Sequence, residues 1–140
     1  MFFRDMKKIV AKLTMEVLGS PKEYVDKTLR HYLDQLKDEK DLKLVSEKVH
    51  ESLQQENKMW STFAEMQIEV DGMKRLLDVC FDYLPSNVEI LEPAGMEIDL
   101  DEFADNLNDL LAIMHKYTMA IKKLQAENIY MMKKLKGEID

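Results

Sequence analysis

Between residues 100 and 135 apolar side chains recur on a seven-residue repeat, spaced alternately by three and four. The positions are Leu100, Phe103, Leu107, Leu110, Met114, Tyr117, Ile121, Leu124, Asn128, Met131 and Leu135, and only Asn128 among them is polar. A straight α-helix drifts about 20° per heptad against such a repeat, so a stripe meant for one domain surface would slip by roughly 100° over five heptads. This stripe keeps its spacing, which fits a partner helix wound around it. That pattern points to assembly before it points to chemistry.

In the heptad that fits, Leu100, Leu107, Met114, Ile121, Asn128 and Leu135 are a positions, and Phe103, Leu110, Tyr117, Leu124 and Met131 are d positions. A single Asn at a is a device for fixing a parallel two-stranded register, because two such amides bond each other across the seam. Acids crowd the start of the segment (Asp99, Asp101, Glu102, Asp105, Asp109) and lysines its end (Lys116, Lys122, Lys123, Lys133, Lys134, Lys136). That gradient complements a helix dipole and, taken alone, would favour antiparallel pairing. An unpaired buried amide costs roughly 1–3 kcal/mol, whereas exposed ion pairs give well under about 1 kcal/mol each. The expectation is therefore a parallel homodimer. Ala104, Leu111, Ile113 and Ala120 at e and g widen the apolar surface, which implies contact with the rest of the chain or more than two helices there.

The preceding residues change period. Ile9, Ala11, Leu13, Met15 and Val17 alternate with Lys8, Lys12, Thr14 and Glu16, the mark of a half-buried strand over 8–18. Gly19 ends it, and Ser20-Pro21-Lys22-Glu23 reads as a helix start with Ser20 as cap, Pro21 at the first helical position and Glu23 closing a capping box. Val25, Leu29, Leu33 and Leu36 then share one helical face, with Tyr32 beside them. Leu42 to about Leu53 reads as an edge strand, with Val45 and Val49 on one face and Lys48, His50 and Glu51 giving it polarity. Gln54–Lys58 reads as a hairpin loop. Trp60, Thr62, Ala64, Met66, Ile68 and Val70 share the phase of a third strand. Asp71-Gly72 starts a short helix with Met73, Leu76, Leu77, Cys80, Phe81 and Leu84 on its apolar side. Val88–Glu92 forms a short last strand before Pro93 and the Ala94-Gly95 linker. The predicted order, βαββαβ, resembles the ferredoxin-like split βαβ arrangement, in which the first and third strands are central. The expected fold is thus α+β: a ferredoxin-like α/β domain over residues 1–95 and an oligomerising coiled-coil helix over 96–140.

Composition narrows the function. The chain of 140 residues is 46% hydrophobic and 34% charged, with a net charge of −7. That sign argues against broad binding to nucleic acid or anionic membrane. Lys122, Lys133 and Lys136 are spread around the outer positions with no arginine among them, as on a solvated coiled-coil exterior. RNA-recognition sheets need several aromatics on the open face; here the open face of the third strand offers Phe63 alone, with Glu65 and Glu69 further along it to repel phosphate. One cysteine excludes an internal disulfide and a Cys-based zinc site, and the turn after the first strand lacks a Cys-x-x-Cys loop. His31, His50 and His115 have no metal-pair spacing. Cys80 reads as a small buried hydrophobe, and Glu47, Glu51, Glu65, Glu69, Glu89 and Glu92 read as solvated strand faces, paired in part with Lys8 and Lys12. No phosphate loop or nucleophile elbow is present. Met1–Lys8 lacks the apolar run of a signal peptide, and no stretch has the 18 or so apolar residues of a membrane span, so a cytoplasmic location is expected.

The reading is a non-catalytic adaptor with no cofactor, no metal, no nucleic acid and no membrane partner. It self-associates as a homodimer and meets a further protein partner. The alternative is a small-molecule-sensing regulatory domain of the amino-acid-binding kind, dimerised by the same helix, with the ligand near Gly19-Ser20, where a helix N-terminus would take an anion.

Overall fold

The computed structural model describes residues 8–139; the segment Met1–Lys8, expected from its sequence not to be a signal peptide, lies, but for Lys8, outside them. The chain divides into two compact units between Met96 and Glu97. Over the described residues it is an α+β fold with one antiparallel sheet and three helices, the last of them long. In chain order the elements are β1 (Lys8–Gly19), α1 (Lys22–Lys37), β2 (Leu42–Val49), β3 (Leu53–Gln54), β4 (Trp60–Asp71), α2 (Met73–Tyr83), β5 (Asn87–Glu92) and α3 (Leu100–Leu135).

The long strands stand in the order β2-β4-β1-β5, and β3 adds a short rung to β4. The two central strands are those whose sequences alternate most cleanly. They pair along their whole length, from Lys8 opposite Asp71 to Gly19 opposite Trp60. Period two sends Ile9, Ala11, Leu13 and Met15 of β1, with Ala64, Met66, Ile68 and Val70 of β4, to one side, where all are buried. Over them α1 lays Leu29, Leu33 and Leu36, and α2 lays Leu76 and Val79, in one continuous core. Val25 is also fully buried. The four apolar positions of α1 read from the sequence are the four it buries.

Four local expectations are corrected. The first residue of α1 is Lys22, with Pro21 as its extended N-cap and no side-chain cap bond. Ser20 lies one residue too early to reach the first amides. The Pro21 carbonyl instead accepts from the N–H groups of Tyr24 and Val25. The second strand stops at Val49, and β3 is a separate element pairing Leu53 with Ser61. Val45 and Val49 are not core: Leu42 and Leu44 pack against it, Val45 sits in the register shift between Leu44 and Ser46, Val49 stands opposite Ala64 near the end of the strand, and both valines are 46% exposed. Leu84 leaves the apolar side of α2 because it is the C-cap, in left-handed conformation at φ 49°, and is exposed. Val79 takes the core place. Gly72 precedes α2 at φ +87°, a conformation that disfavours a side chain.

Candidate self-association surface

The helix α3 is built to be long. Asp99 caps it, its carboxylate accepting from the Asp101 N–H at 3.1 Å, with Asp101 and Glu102 in the first turn and Lys133 and Lys134 in the last. Those charges oppose the helix dipole at each end. No Gly or Pro interrupts its 36 residues, which span about 54 Å at 1.5 Å per residue. At the other end Gly137 adopts φ +73°, its N–H donates to the Lys134 carbonyl, and the Glu138 N–H donates to that of Lys133. These two bonds are a Schellman stop, so the helix ends on its own C-cap.

Along it, the predicted seam stands uncovered. Leu100, Phe103, Leu107, Met114, Tyr117, Ile121, Leu124, Met131 and Leu135 are all exposed, from 42% at Phe103 to 84% at Leu135. Leu110 is half-buried, and Asn128 is exposed at its a position. The flanking e positions carry Ala104, Leu111, Thr118, Gln125 and Met132, and the g positions Asn106, Ile113, Ala120, Glu127 and Lys134. Of these Ala104, Leu111, Thr118, Ala120 and Met132 are exposed and apolar or small, so the surface is broader than a two-position stripe, whereas Asn106 is buried. The charges gather at b and c: Asp101, Glu102, Asp109, Lys116, Lys122 and Lys123. Exposed apolar surface of this extent marks protein or membrane contact sites, ligand grooves or aggregation-prone surface.

On the sheet's open face, Lys8 pairs with Glu69 at 3.2 Å, Lys12 with Glu65 at 2.8 Å, and His50 Nε2 with the other Glu65 oxygen at 2.9 Å. The Lys12 and His50 partners, in that order, hold the Glu65 carboxyl below its ordinary range, and Glu65 in turn raises the Lys12 ammonium. The His50 ring stacks on Phe63, centroids 4.1 Å apart and 17° between planes. The face's aromatic is thus already occupied by a side chain of this chain. His50 was not foreseen there; its only signal was parity, since it continues β2 opposite Phe63.

Glu47 corrects the reading of solvated carboxylates. The same register shift puts it under α1, where Oε1 accepts from Arg30 and Lys37 at 3.2 Å each. Burial raises its pKa, but the Lys37 and Arg30 bonds outweigh that and hold it below the ordinary value. A second cluster joins Glu39 to Arg75 at 3.0 Å and to the Tyr83 hydroxyl at 2.9 Å. These residues lie 36 and 44 positions apart, so no local pattern announces them.

The other candidates stay apart. Cys80 packs against the core, and burial pushes its thiol up. His31 lies on α1, beside Tyr32, and His115 on α3. Among the described residues no group of three His, Cys, Asp or Glu is arranged to hold a metal ion. Gly19 and Ser20 form the β1–α1 turn, where a Cβ on Gly19 would meet Val25 Cγ2 at 3.4 Å. Among the described residues no helix is long and apolar enough to cross a membrane.

No curated protein and no solved structure matches this chain. A family model described as the MJ0538 family matches residues 10–140, and the chain belongs to that family.

Proposed function

We propose that this protein is a non-catalytic, oligomerising adaptor of the cytoplasm. Its C-terminal helix joins two copies in a parallel coiled coil and so presents two copies of the small domain to a further protein partner. The observation that carries the reading is the uncovered seam of α3: nine apolar a and d side chains exposed on one helix. Completing their burial is worth about 1 kcal/mol each, roughly half of a full side-chain burial, or about 18 kcal/mol over two copies. Association costs about 4–15 kcal/mol in lost freedom, so the seam suffices to hold a dimer. Asn128 sets the direction, as its amide meets its own copy only when the helices run parallel.

For the small domain, the strand order β2-β4-β1-β5 with both α1 and α2 on one side supports a ferredoxin-like assignment, with β3 as an addition to the β2–β4 connection. Such a domain serves many functions; here its open face is a lattice of ion pairs suited to a polar protein surface.

Sedimentation at micromolar concentration is expected to give at least a dimer, and a monomer would overturn the reading. In a Cys80→Ala background, Leu135→Cys is expected to crosslink between copies under oxidation. A dimer that persists without that crosslink would rule out the parallel arrangement.

A further inference from the structure

In a parallel two-stranded coil, the b and e positions of one copy share a flank with the c and g positions of the other. Over the first half of α3 that flank carries Asp101 from one copy with Glu102 and Asp109 from the other, and no base. Over the second half it carries Lys122 and Lys136 from one copy with Lys116, Lys123 and Lys134 from the other. Glu127, at g, is the one acid among them. All five lysines are exposed. The sign of the flank therefore reverses halfway along the helix.

The lysines do not stand on an otherwise polar surface. Ile129 and Met132 lie among them on one copy and Tyr130 on the other, 58%, 54% and 50% exposed, and the Lys134 ammonium stands 6.0 Å from the centre of the Tyr130 ring. The side of a helix that faces water is ordinarily polar. An anionic bilayer meets both features at once. Ammonium groups reach its headgroups, tyrosine settles at headgroup level, and isoleucine and methionine enter the acyl boundary beneath. A nucleic-acid backbone would match the lysines and leave Ile129 and Met132 without an apolar partner. From Lys116 to Lys136 the flank runs about 30 Å at 1.5 Å per residue, and a flat surface engages that length on both copies.

The net charge of −7 argues against an anionic membrane for the chain as a whole, but it does not govern this flank. Asp109 and Lys116 are about 10 Å apart along the helix, beyond the screening length of about 8 Å at physiological salt. A surface touched by the lysines is thus screened from the acids of the first half.

We infer that the second half of α3 docks on an anionic phospholipid bilayer, with its lysines on the headgroups and Ile129, Tyr130 and Met132 at the acyl boundary. The inference rests on the seam dimer proposed above, which fixes the side that each residue faces. The acidic first half turns from the surface. The opposite flank, identical by the two-fold axis of the coil, stays in water.

Flotation of the full chain with vesicles tests it. The chain is expected to float with vesicles of phosphatidylglycerol and phosphatidylcholine in equal parts, and not with phosphatidylcholine alone, and added salt should release it. Each lysine near such a surface is worth about fivefold in affinity, so Lys122→Glu with Lys123→Glu is expected to weaken binding at least about tenfold. Ile129→Gln with Tyr130→Gln is expected to weaken it with the salt dependence kept. Neither pair should change the sedimenting mass, since all four positions lie outside the seam. Equal binding to both vesicles, or binding that survives the Lys122 and Lys123 reversal, would overturn the inference. A dimer that floats with neither vesicle overturns it and leaves the seam reading standing. A monomer that floats with the anionic vesicles through the same lysines keeps the bilayer contact and overturns the seam. Salt-sensitive retention of duplex DNA by those lysines, without flotation, would make nucleic acid the partner and overturn the bilayer.

Discussion

At the residue scale, the polar groups that matter for stability are those tied across long sequence separations. Tyr83 donates to Glu39, and Arg75 donates both to Glu39 and to the Lys40 carbonyl at 2.8 Å, so α2 is clasped to the loop after α1. The Tyr83 bond first, and Arg75 next, hold the Glu39 carboxyl below its ordinary 4.5. Its contribution to stability is therefore present above pH 4.5 and is lost as pH falls through the depressed value. Burial, and then Glu39, push Tyr83 from 10.0 up to about 12. Its contribution is complete below pH 10.0 and is lost as pH rises toward about 12. Tyr83→Phe is expected to cost about 1 kcal/mol at neutral pH, the lower end for a partly exposed bond to a charged group. In thermal melts against pH it should also flatten the alkaline decline. An alkaline decline unchanged by Tyr83→Phe would show that this clasp is not its source. Cys80 is a separate case: its thiol is packed on the core and pushed up by burial, so a thiol reagent should label it only after denaturation. Rapid labelling of the folded chain would contradict that placement.

At the element scale, burial ranks the sites. Leu33 on α1 is fully buried, and Leu33→Ala is expected to lose about 2–5 kcal/mol in urea unfolding, from lost transfer energy and the cavity left behind. Val45, exposed at the bulge in β2, is expected to tolerate Ala within about 0.5 kcal/mol. Equal losses at the two sites would mean that Val45 is covered in solution. For α3 the cap is the sensitive point: Asp99→Ala removes the bond to the Asp101 amide and is expected to cost about 1 kcal/mol, visible as fraying of the first turn by hydrogen exchange.

At the scale of the whole molecule, charge and assembly set the behaviour. The net charge of −7 and the occupied Phe63 ring leave the open face poorly suited to stacking bases. Single-stranded RNA is expected not to bind tightly at physiological salt, and tight, salt-sensitive binding would overturn the assignment. If copies associate through α3, the melting temperature should rise with protein concentration, because association stabilises only the folded chain. A concentration-independent melt would speak for a monomer. The sensing alternative has its own readout, since a bound small molecule would raise the melting temperature by mass action at fixed protein concentration.

The periods were legible without coordinates because they are local. Alternation over 8–18 and 60–70 placed β1 and β4 and every core residue of both. The helical face Val25, Leu29, Leu33, Leu36 placed α1, whereas the stop of α3 at Gly137 was read only from the structure. The eleven heptad positions were likewise plain, as spacing is a property of the chain alone. What only the tertiary structure decided was where a local rule meets a competing one. A bulge between Leu44 and Ser46 put Glu47, where unbroken alternation from Leu42 and Leu44 would have put Ser46, on the side beneath α1, and Arg30 and Lys37 supply the charge that Glu47 needs there. A left-handed C-cap took Leu84 out of the core. The pairings of Glu39 with Arg75 and Tyr83, and of His50 with Phe63 and Glu65, join residues that only the packed sheet and helices bring together; they depend on three-dimensional proximity, which no one-dimensional period encodes.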